Sequence, residues 1–162
     1  MILKNFYINS IIIFIIFLLD RISKIYVINL ASKNYTSELF SSKFLNINLI
    51  WNEGIAFGLL SFDQSDLYNI LTSIIALIIV IVFFMIVKNN NIKRYPLLMI
   101  FGGAIGNLYD RIIFKAVPDF IDFHVGEFHW FIFNVADIFI SIGVIFMILL
   151  ELIGSNKDNE KI

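Results

Sequence analysis

The sequence predicts an all-α polytopic membrane protein, with four transmembrane helices and a small extracytoplasmic β-hairpin or sheet in the first long loop. The chain of 162 residues is 59% hydrophobic and only 15% charged, whereas soluble domains have about a quarter of their residues charged. Four stretches have the roughly 20 apolar residues that a bilayer crossing needs. The longest connection between them alternates apolar and polar residues, which is the pattern of a β-strand.

The predicted spans cover about residues 6–28, 67–87, 95–114 and 131–153. The second span contains no charged residue and is the strongest of the four. The first span follows Lys4, as in a signal peptide, but its apolar run is long and no clear small-residue cleavage site follows it. We therefore expect a single membrane domain over residues 1–162, with a polar, frayed tail from 154 onward.

The loop over about residues 29–66 carries the predicted β-structure. Residues 44–51 read FLNINLIW, in which apolar side chains alternate with Asn46 and Asn48. A turn at 52–54 and a return strand at 55–57 would complete a hairpin on the membrane surface.

Charge and cysteine content exclude several function classes. The formal net charge of −1 leaves no basic footprint for nucleic acid. Because the chain has no cysteine, it can form neither disulfides nor thiolate metal sites. Basic residues are equally numerous on the two sides of a four-span arrangement. If Arg21, Lys24 and Arg111 are set aside as partners of nearby acids, the balance favours both termini in the cytoplasm.

The polar residues of the predicted spans converge on one membrane face, whichever way the chain is oriented. Threading the spans up and down brings together Asp20, Asn107, Asp110, Asp119, Asn134 and Asp137. Gly103, Gly106, Asn107 and Asp110 share one helical stripe, and Asp20 can pair with Lys24 one turn later. Such stripes turn toward other helices, because facing lipid costs several kcal/mol.

Two interpretations of these residues remain open from the pattern alone. Intramembrane polar groups often serve only as interhelical hydrogen bonds, and Asp110 with Arg111 could form a buried ion pair. Asp119 and Asp137, however, lack a basic partner at helical spacing. Two such carboxylates at a lipid boundary would share one proton, which suits metal-free hydrolysis of a peptide bond. The alternative functions are a small transporter or channel with functional carboxylates, and a purely structural membrane subunit.

Metal and cofactor chemistry is not predicted. The segment HVGEFH places His124, Glu127 and His129 at a spacing that matches no helical metal motif, so we expect loop residues at the interface. Asp122 is expected to be a solvent-facing or supporting residue.

Five motifs in order resemble the lipoprotein signal peptidase (signal peptidase II) family of bacteria. They are LLDRISK at 18–24, NEGIAFG at 52–58, GGAIGNLYDR at 102–111, VPDFIDF at 117–123 and FNVAD at 133–137. The resemblance extends from the first predicted span to the fourth.

The resemblance implies an aspartyl endopeptidase of the bacterial inner membrane, with both termini cytoplasmic and the active site near the outer face. Its substrates would be diacylglyceryl-modified prolipoproteins, cleaved before the modified cysteine, and it would need no cofactor. We expect a monomer in contact with membrane lipid. The family's catalytic aspartates fall on Asp119 and Asp137. Its supporting polar residues match Asp20, Lys24, Asn52, Gly54, Asn107, Asp110, Arg111 and Asn134.

Overall fold

The computed structural model describes residues 2–54, 64–89 and 91–159, which contain four helices and a four-stranded sheet. In chain order the elements are α1 (Ile2–Asn34), β1 (Glu38–Ser41), β2 (Leu45–Asn52), α2 (Gln64–Lys88), α3 (Arg94–Phe114), β3 (Val117–Val125), β4 (Phe128–His129) and α4 (Val135–Asn159).

Helix α3 lies at the centre and packs against α1, α2 and α4. Small residues allow this close packing. A Cβ added at Gly103 would lie 2.5 Å from the backbone oxygen of Ala136, and one at Gly106 would lie 2.6 Å from a carboxylate oxygen of Asp20. Both neighbours therefore occupy space that only glycine leaves free.

The bundle has an apolar end and a polar end. Val82 and Ile86 of α2 meet Leu97 and Leu98 of α3 in a buried cluster, against which partly buried residues of α1 and α4 pack. Polar side chains collect toward the opposite end of α3. Large apolar side chains are exposed along the outer faces of all four helices, as expected for a protein that has lipid as its solvent.

Three helical stretches within the described residues are long and apolar enough to cross a membrane: Asp66–Lys88, Arg94–Phe114 and Val135–Ile153. Helix α1 is not among them by this criterion. It is also longer than the predicted first span, since it continues to Asn34.

The predicted strand is confirmed as β2, but the sheet is not confined to the first loop. Its order is β1-β2-β3-β4, with every neighbouring pair antiparallel. The segment after α3, which we predicted as a loop, forms β3. Its proline and two aspartates disfavour a strand by propensity, and pairing with β2 overrides that preference. The predicted return strand at 55–57 lies outside the described residues.

Helix α4 differs from the predicted fourth span at both ends. It begins at Val135, because Asn134 caps its first turn, so the segment 131–134 precedes the helix. It continues to Asn159 through the stretch that was predicted to be a frayed tail.

Candidate active site

Asp119 lies in β3 and is nearly inaccessible, with 4% of its surface exposed. Neighbouring strand β2 brings Asn52 alongside, and its Nδ2 donates to Asp119 Oδ2 at 2.8 Å. Asn134 Nδ2 donates to the other carboxylate oxygen at 2.6 Å. Both carboxylate oxygens of Asp119 therefore have an amide donor.

Asp137 lies in the first turn of α4 and forms a reciprocal cap with Asn134. The backbone N–H of Asp137 donates to Asn134 Oδ1 at 3.2 Å, while the backbone N–H of Asn134 donates to Asp137 Oδ2 at 3.0 Å. This is the capping-box arrangement, with asparagine and aspartate in the two positions. Asn107 Nδ2 of α3 donates to the remaining oxygen at 2.8 Å.

One side chain thus contacts both halves of the site. Asn134 is fully buried and bonds the carboxylate of Asp119 with its Nδ2 and the backbone of Asp137 with its Oδ1. Burial raises the pKa of Asp119, and the charge of Asp137 raises it further, while the amides of Asn52 and Asn134 lower it. The protonated form of Asp119 is therefore easier to reach than that of an exposed aspartate.

The three asparagine amides are held in one orientation by their oxygens. Asn52 Oδ1 accepts from the backbone N–H of Gly54 at 2.7 Å, and Asn107 Oδ1 accepts from Lys24 Nζ at 2.8 Å. Asn134 Oδ1 accepts from the backbone N–H of Asp137. Since each oxygen already faces a donor, only the NH₂ group of each amide can face a carboxylate. Gly54 makes the turn after Asn52 with a φ of 75°, which glycine adopts without strain.

A buried ionic cluster lies behind Asn107. Lys24 Nζ is 2.9 Å from Asp20 Oδ1 and 2.7 Å from Asp110 Oδ2, so the predicted pairing of Asp20 with Lys24 is confirmed. Arg21 bonds the same two carboxylates, with Nη2 2.7 Å from Asp20 Oδ2 and Nη1 against Asp110 Oδ1. Two cations and two anions balance one another, which is what makes burial of four charges tolerable.

The ionic cluster also contacts the start of α4. The backbone N–H of Ala136 donates to Asp20 Oδ1 at 3.2 Å, which satisfies one of the free donors of that helix end. A continuous path of hydrogen bonds therefore runs from the cluster through Asn107 to Asp137.

The ion pair that the sequence left open between Asp110 and Arg111 does not form, because Asp110 is already paired with two cations of α1. Asp110 turns to Arg21 and Lys24 instead. The guanidinium of Arg111 lies 5.8 Å from the ring centroid of Tyr68, whose hydroxyl donates to the Arg111 carbonyl at 2.9 Å. A Cβ on Gly54 would meet Arg111 Nη1 at 2.7 Å, so this arginine lies directly under the β2 turn.

Asp122 was expected to be either solvent-facing or a supporting residue, and the structure excludes the first of these. It is 2% exposed and lies two positions from His124 in β3, on the face of the strand opposite to Asp119. Its carboxylate bonds His129 Nδ1 at 3.0 Å and Asn46 Nδ2 at 3.3 Å.

Two cavities adjoin the carboxylates. An apolar cavity of about 640 Å³ is lined by aromatic residues of β3, β4 and the segment after them, and reaches Asp137 and Ser141 of α4. A more polar cavity of about 400 Å³ is lined by the end of β2 and by Asp119. An extended ligand could therefore approach the two carboxylates from either side.

Comparison with known proteins assigns the family. A family model described as signal peptidase (SPase) II matches residues 12–153. The lipoprotein signal peptidase of Pelagibacter ubique (strain HTCC1062) is 55% identical over 98% of this chain and 96% of its own length. That of Aquifex aeolicus (strain VF5) is 42% identical over 83% of this chain and 79% of its own length.

The chain belongs to the signal peptidase II family.

Solved structures agree. One described as a bacterial membrane enzyme, obtained by the in meso method at 1.9 Å resolution, has a TM-score of 0.71 and 30% sequence identity over 89% of this chain and 91% of its own. All the site residues predicted from the sequence lie within the stretch matched by the signal peptidase II model. From the sequence, Arg21 was considered only as a partner of nearby acids and was not placed among the site residues. Its position next to Asp20, at the predicted polar face, was the signal that it belongs there.

Proposed function

We propose that Asp119 and Asp137 are the catalytic carboxylates of this signal peptidase II, with Asn134 as the residue that couples them. As a family member, the protein is an aspartic endopeptidase that removes signal peptides from lipoprotein precursors. The observation that carries the assignment is the pair of bonds from the buried Asn134, one to each aspartate.

The proposed mechanism divides acid and base work between the two carboxylates. One is ionised and takes a proton from a water held between them, and the resulting hydroxide adds to the scissile carbonyl carbon. The other is protonated and donates to the amide nitrogen as the C–N bond breaks. The raised pKa of Asp119 supports a shared proton. Neither a metal nor a covalent intermediate is needed to balance these steps.

The supporting residues have distinct proposed tasks. Asn107 and Asn52 orient the two carboxylates by donating to one oxygen of each. The ionic cluster fixes the position of Asn107 and the start of α4. It consists of Asp20, Arg21, Lys24 and Asp110. Gly54 and Arg111 shape the floor of the β2 turn, next to the polar cavity.

The proposed substrate is a diacylglyceryl-modified prolipoprotein, cleaved before the modified cysteine. The large apolar cavity beside Asp137 has the size and lining for an apolar peptide segment or an acyl chain. The polar cavity beside Asp119 suits the more polar chain on the other side of the scissile bond. No observation favours the transporter or channel alternative, since family membership places the chain among peptidases.

We further propose one membrane domain over residues 1–162 with four spans, formed by α1 together with the three apolar helices. The charges of α1 that weaken its apolar character are buried against α3, so they need not face lipid. Arg21 and Lys24 then count as structural partners rather than orientation signals. The remaining basic residues favour cytoplasmic termini. The sheet and the pair of Asp119 and Asp137 (the dyad) would then lie near the outer face of the inner membrane. The catalytic residues all come from one chain, so the site is compatible with a monomer.

The test is cleavage of a purified, lipidated precursor by Asp119→Asn and Asp137→Asn, with product identity read by mass spectrometry. Asp66→Asn, an exposed acid at the start of α2, is the matched control. Both site variants should lose nearly all activity while still showing a cooperative thermal unfolding transition, and the control should cleave normally. Near-normal cleavage by either site variant would overturn the assignment.

A further inference from the structure

A second cluster of titratable side chains lies on the far face of β3 from Asp119. The antiparallel pairing of β3 with β4 sets His124 directly opposite His129. Asp122 is two residues before His124 and so projects from the same face of the strand. The proposed peptide hydrolysis uses none of these three residues.

The three side chains converge closely enough to share one ion. Their potential ligand atoms all lie within 4.8 Å of one another, and the two imidazole rings stack with centroids 4.9 Å apart. Ligands of a tetrahedral zinc ion lie about 2.0–2.2 Å from the metal, and so about 3.3 Å apart. The carboxylate of Asp122 and His129 Nδ1 are already 3.0 Å apart, and a nitrogen of His124 lies within 4.8 Å of both.

A second observation points to a ligand. The Nδ1 atom of His124 is buried and has no hydrogen-bond partner among the described residues. Buried polar atoms without a partner are rare, because desolvating them costs free energy that no bond returns. A cation bound at the edges of the two rings, in the ring planes, would give this nitrogen a partner. Asn46 Nδ2 donates a hydrogen bond to the carboxylate of Asp122, as a supporting residue of a metal site commonly does.

We propose that Asp122, His124 and His129 form a binding site for a divalent transition-metal ion of the zinc class. Two imidazoles and one carboxylate suit zinc better than magnesium or calcium, which prefer oxygen ligands. Half of the His129 side chain is exposed, so water can fill the fourth position.

Such a site would fasten β4 to β3. The segment after β4 carries Trp130, Phe131 and Phe133, which line the apolar cavity, and Asn134 follows directly. A bound ion would therefore brace the wall of that cavity without touching the dyad. The sequence spacing of His124 and His129 matches no helical metal motif, which argued against a metal site. The register of β3 and β4 nevertheless brings these residues together.

The experiment measures metal binding rather than cleavage, so its outcome is independent of the proposed peptidase residues. The full-length chain, freed of any purification tag and of bound metal, is titrated with Zn²⁺ in detergent. Co²⁺ serves as an optical probe of tetrahedral coordination. Because the chain contains only two histidines and no cysteine, competing strong ligands are few.

We expect one Zn²⁺ per chain, a rise in thermal unfolding temperature with zinc, and the visible bands of tetrahedral Co²⁺. Asp122→Asn, His124→Gln and His129→Gln should each weaken binding by about tenfold or more, whereas Asp66→Asn and Asp119→Asn should bind normally. His124→Gln leaves the bond between Asp122 and His129 in place, so it tests ligation without disturbing the fold. Absence of saturable Zn²⁺ binding, or binding that His124→Gln leaves unchanged, would overturn the proposal.

Discussion

Replacing Asn134 by two different residues separates its two tasks. Serine is a good helix N-cap and can accept the bond from the backbone of Asp137, but it is too short to donate to Asp119 as the amide does. Alanine removes both interactions. The pair Asn134→Ser and Asn134→Ala therefore distinguishes the loss of the donor from the loss of the cap.

The expected magnitudes follow from the two bonds. A hydrogen bond to a charged group contributes about 1.5–3 kcal/mol, and an N-cap about 0.5–2 kcal/mol. Asn134→Ser should therefore lose mainly the first contribution, while Asn134→Ala should lose about 2–5 kcal/mol of stability in total. If the donor stabilises the reacting form of Asp119, kcat/KM should fall about 10- to 150-fold in both variants.

The assay is cleavage of a fluorogenic lipopeptide in mixed micelles across a pH series, together with thermal unfolding. Because the Asn134 amide lowers the pKa of Asp119, its loss should move the limb of the pH profile that belongs to Asp119 to higher pH. A purely structural role for Asn134 would not move that limb. If Asn134→Ser cleaves within about twofold of wild type with an unchanged profile, the coupling of the two aspartates through Asn134 is refuted.

Three further predictions concern the surroundings of the dyad. Asp110→Asn leaves excess positive charge in the buried cluster and should cost about 3–5 kcal/mol of stability in thermal unfolding. The control Glu151→Gln breaks an exposed ion pair and should cost about 1 kcal/mol or less. Equal losses of stability in the two variants would contradict the proposed role of the ionic cluster. Since the folded-state pKa of Asp119 is raised, the contribution of Asp119 to stability should be fully present below its unfolded pKa of about 4 and be lost as pH rises through the folded pKa. Asp119→Asn should remove this contribution from the pH dependence of thermal unfolding, and an unchanged pH dependence would refute it. Gly103→Ala sets a methyl group 2.5 Å from the Ala136 carbonyl oxygen. It should cost about 1–3 kcal/mol of stability and abolish cleavage. Unchanged stability and cleavage would show that α3 and α4 can separate freely.

The polar end of the bundle could be predicted because helix direction alternates from span to span. That constraint placed Asp20, Asn107 and Asp137 near one face without any knowledge of side-chain contacts. The strand β2 was equally accessible, since apolar and polar residues alternate over its first five residues. Neither prediction required knowledge of which distant segments pair with one another.

The features that the sequence analysis missed depend on pairing between distant segments. Strand β3 exists because β2 lies beside it, and neither proline nor aspartate in its sequence signals a strand. The same pairing sets Asn52 beside Asp119. The pair of His124 and His129 is different, since a short local hairpin of β3 and β4 sets them opposite each other. Asp110 likewise finds its partners in a distant segment, since Arg21 and Lys24 of α1 take the place that Arg111 could have filled.

The most direct test of the paired carboxylates is a comparison of Asp119→Asn, Asp137→Asn and the double variant in single-turnover cleavage of a lipidated precursor. Residues that act as one unit lose their effect together, so their losses do not multiply. Joint action on one water predicts that the double variant is no slower than the slower single variant. A double variant whose loss equals the product of the two single losses would show that the aspartates act independently, and would contradict the dyad.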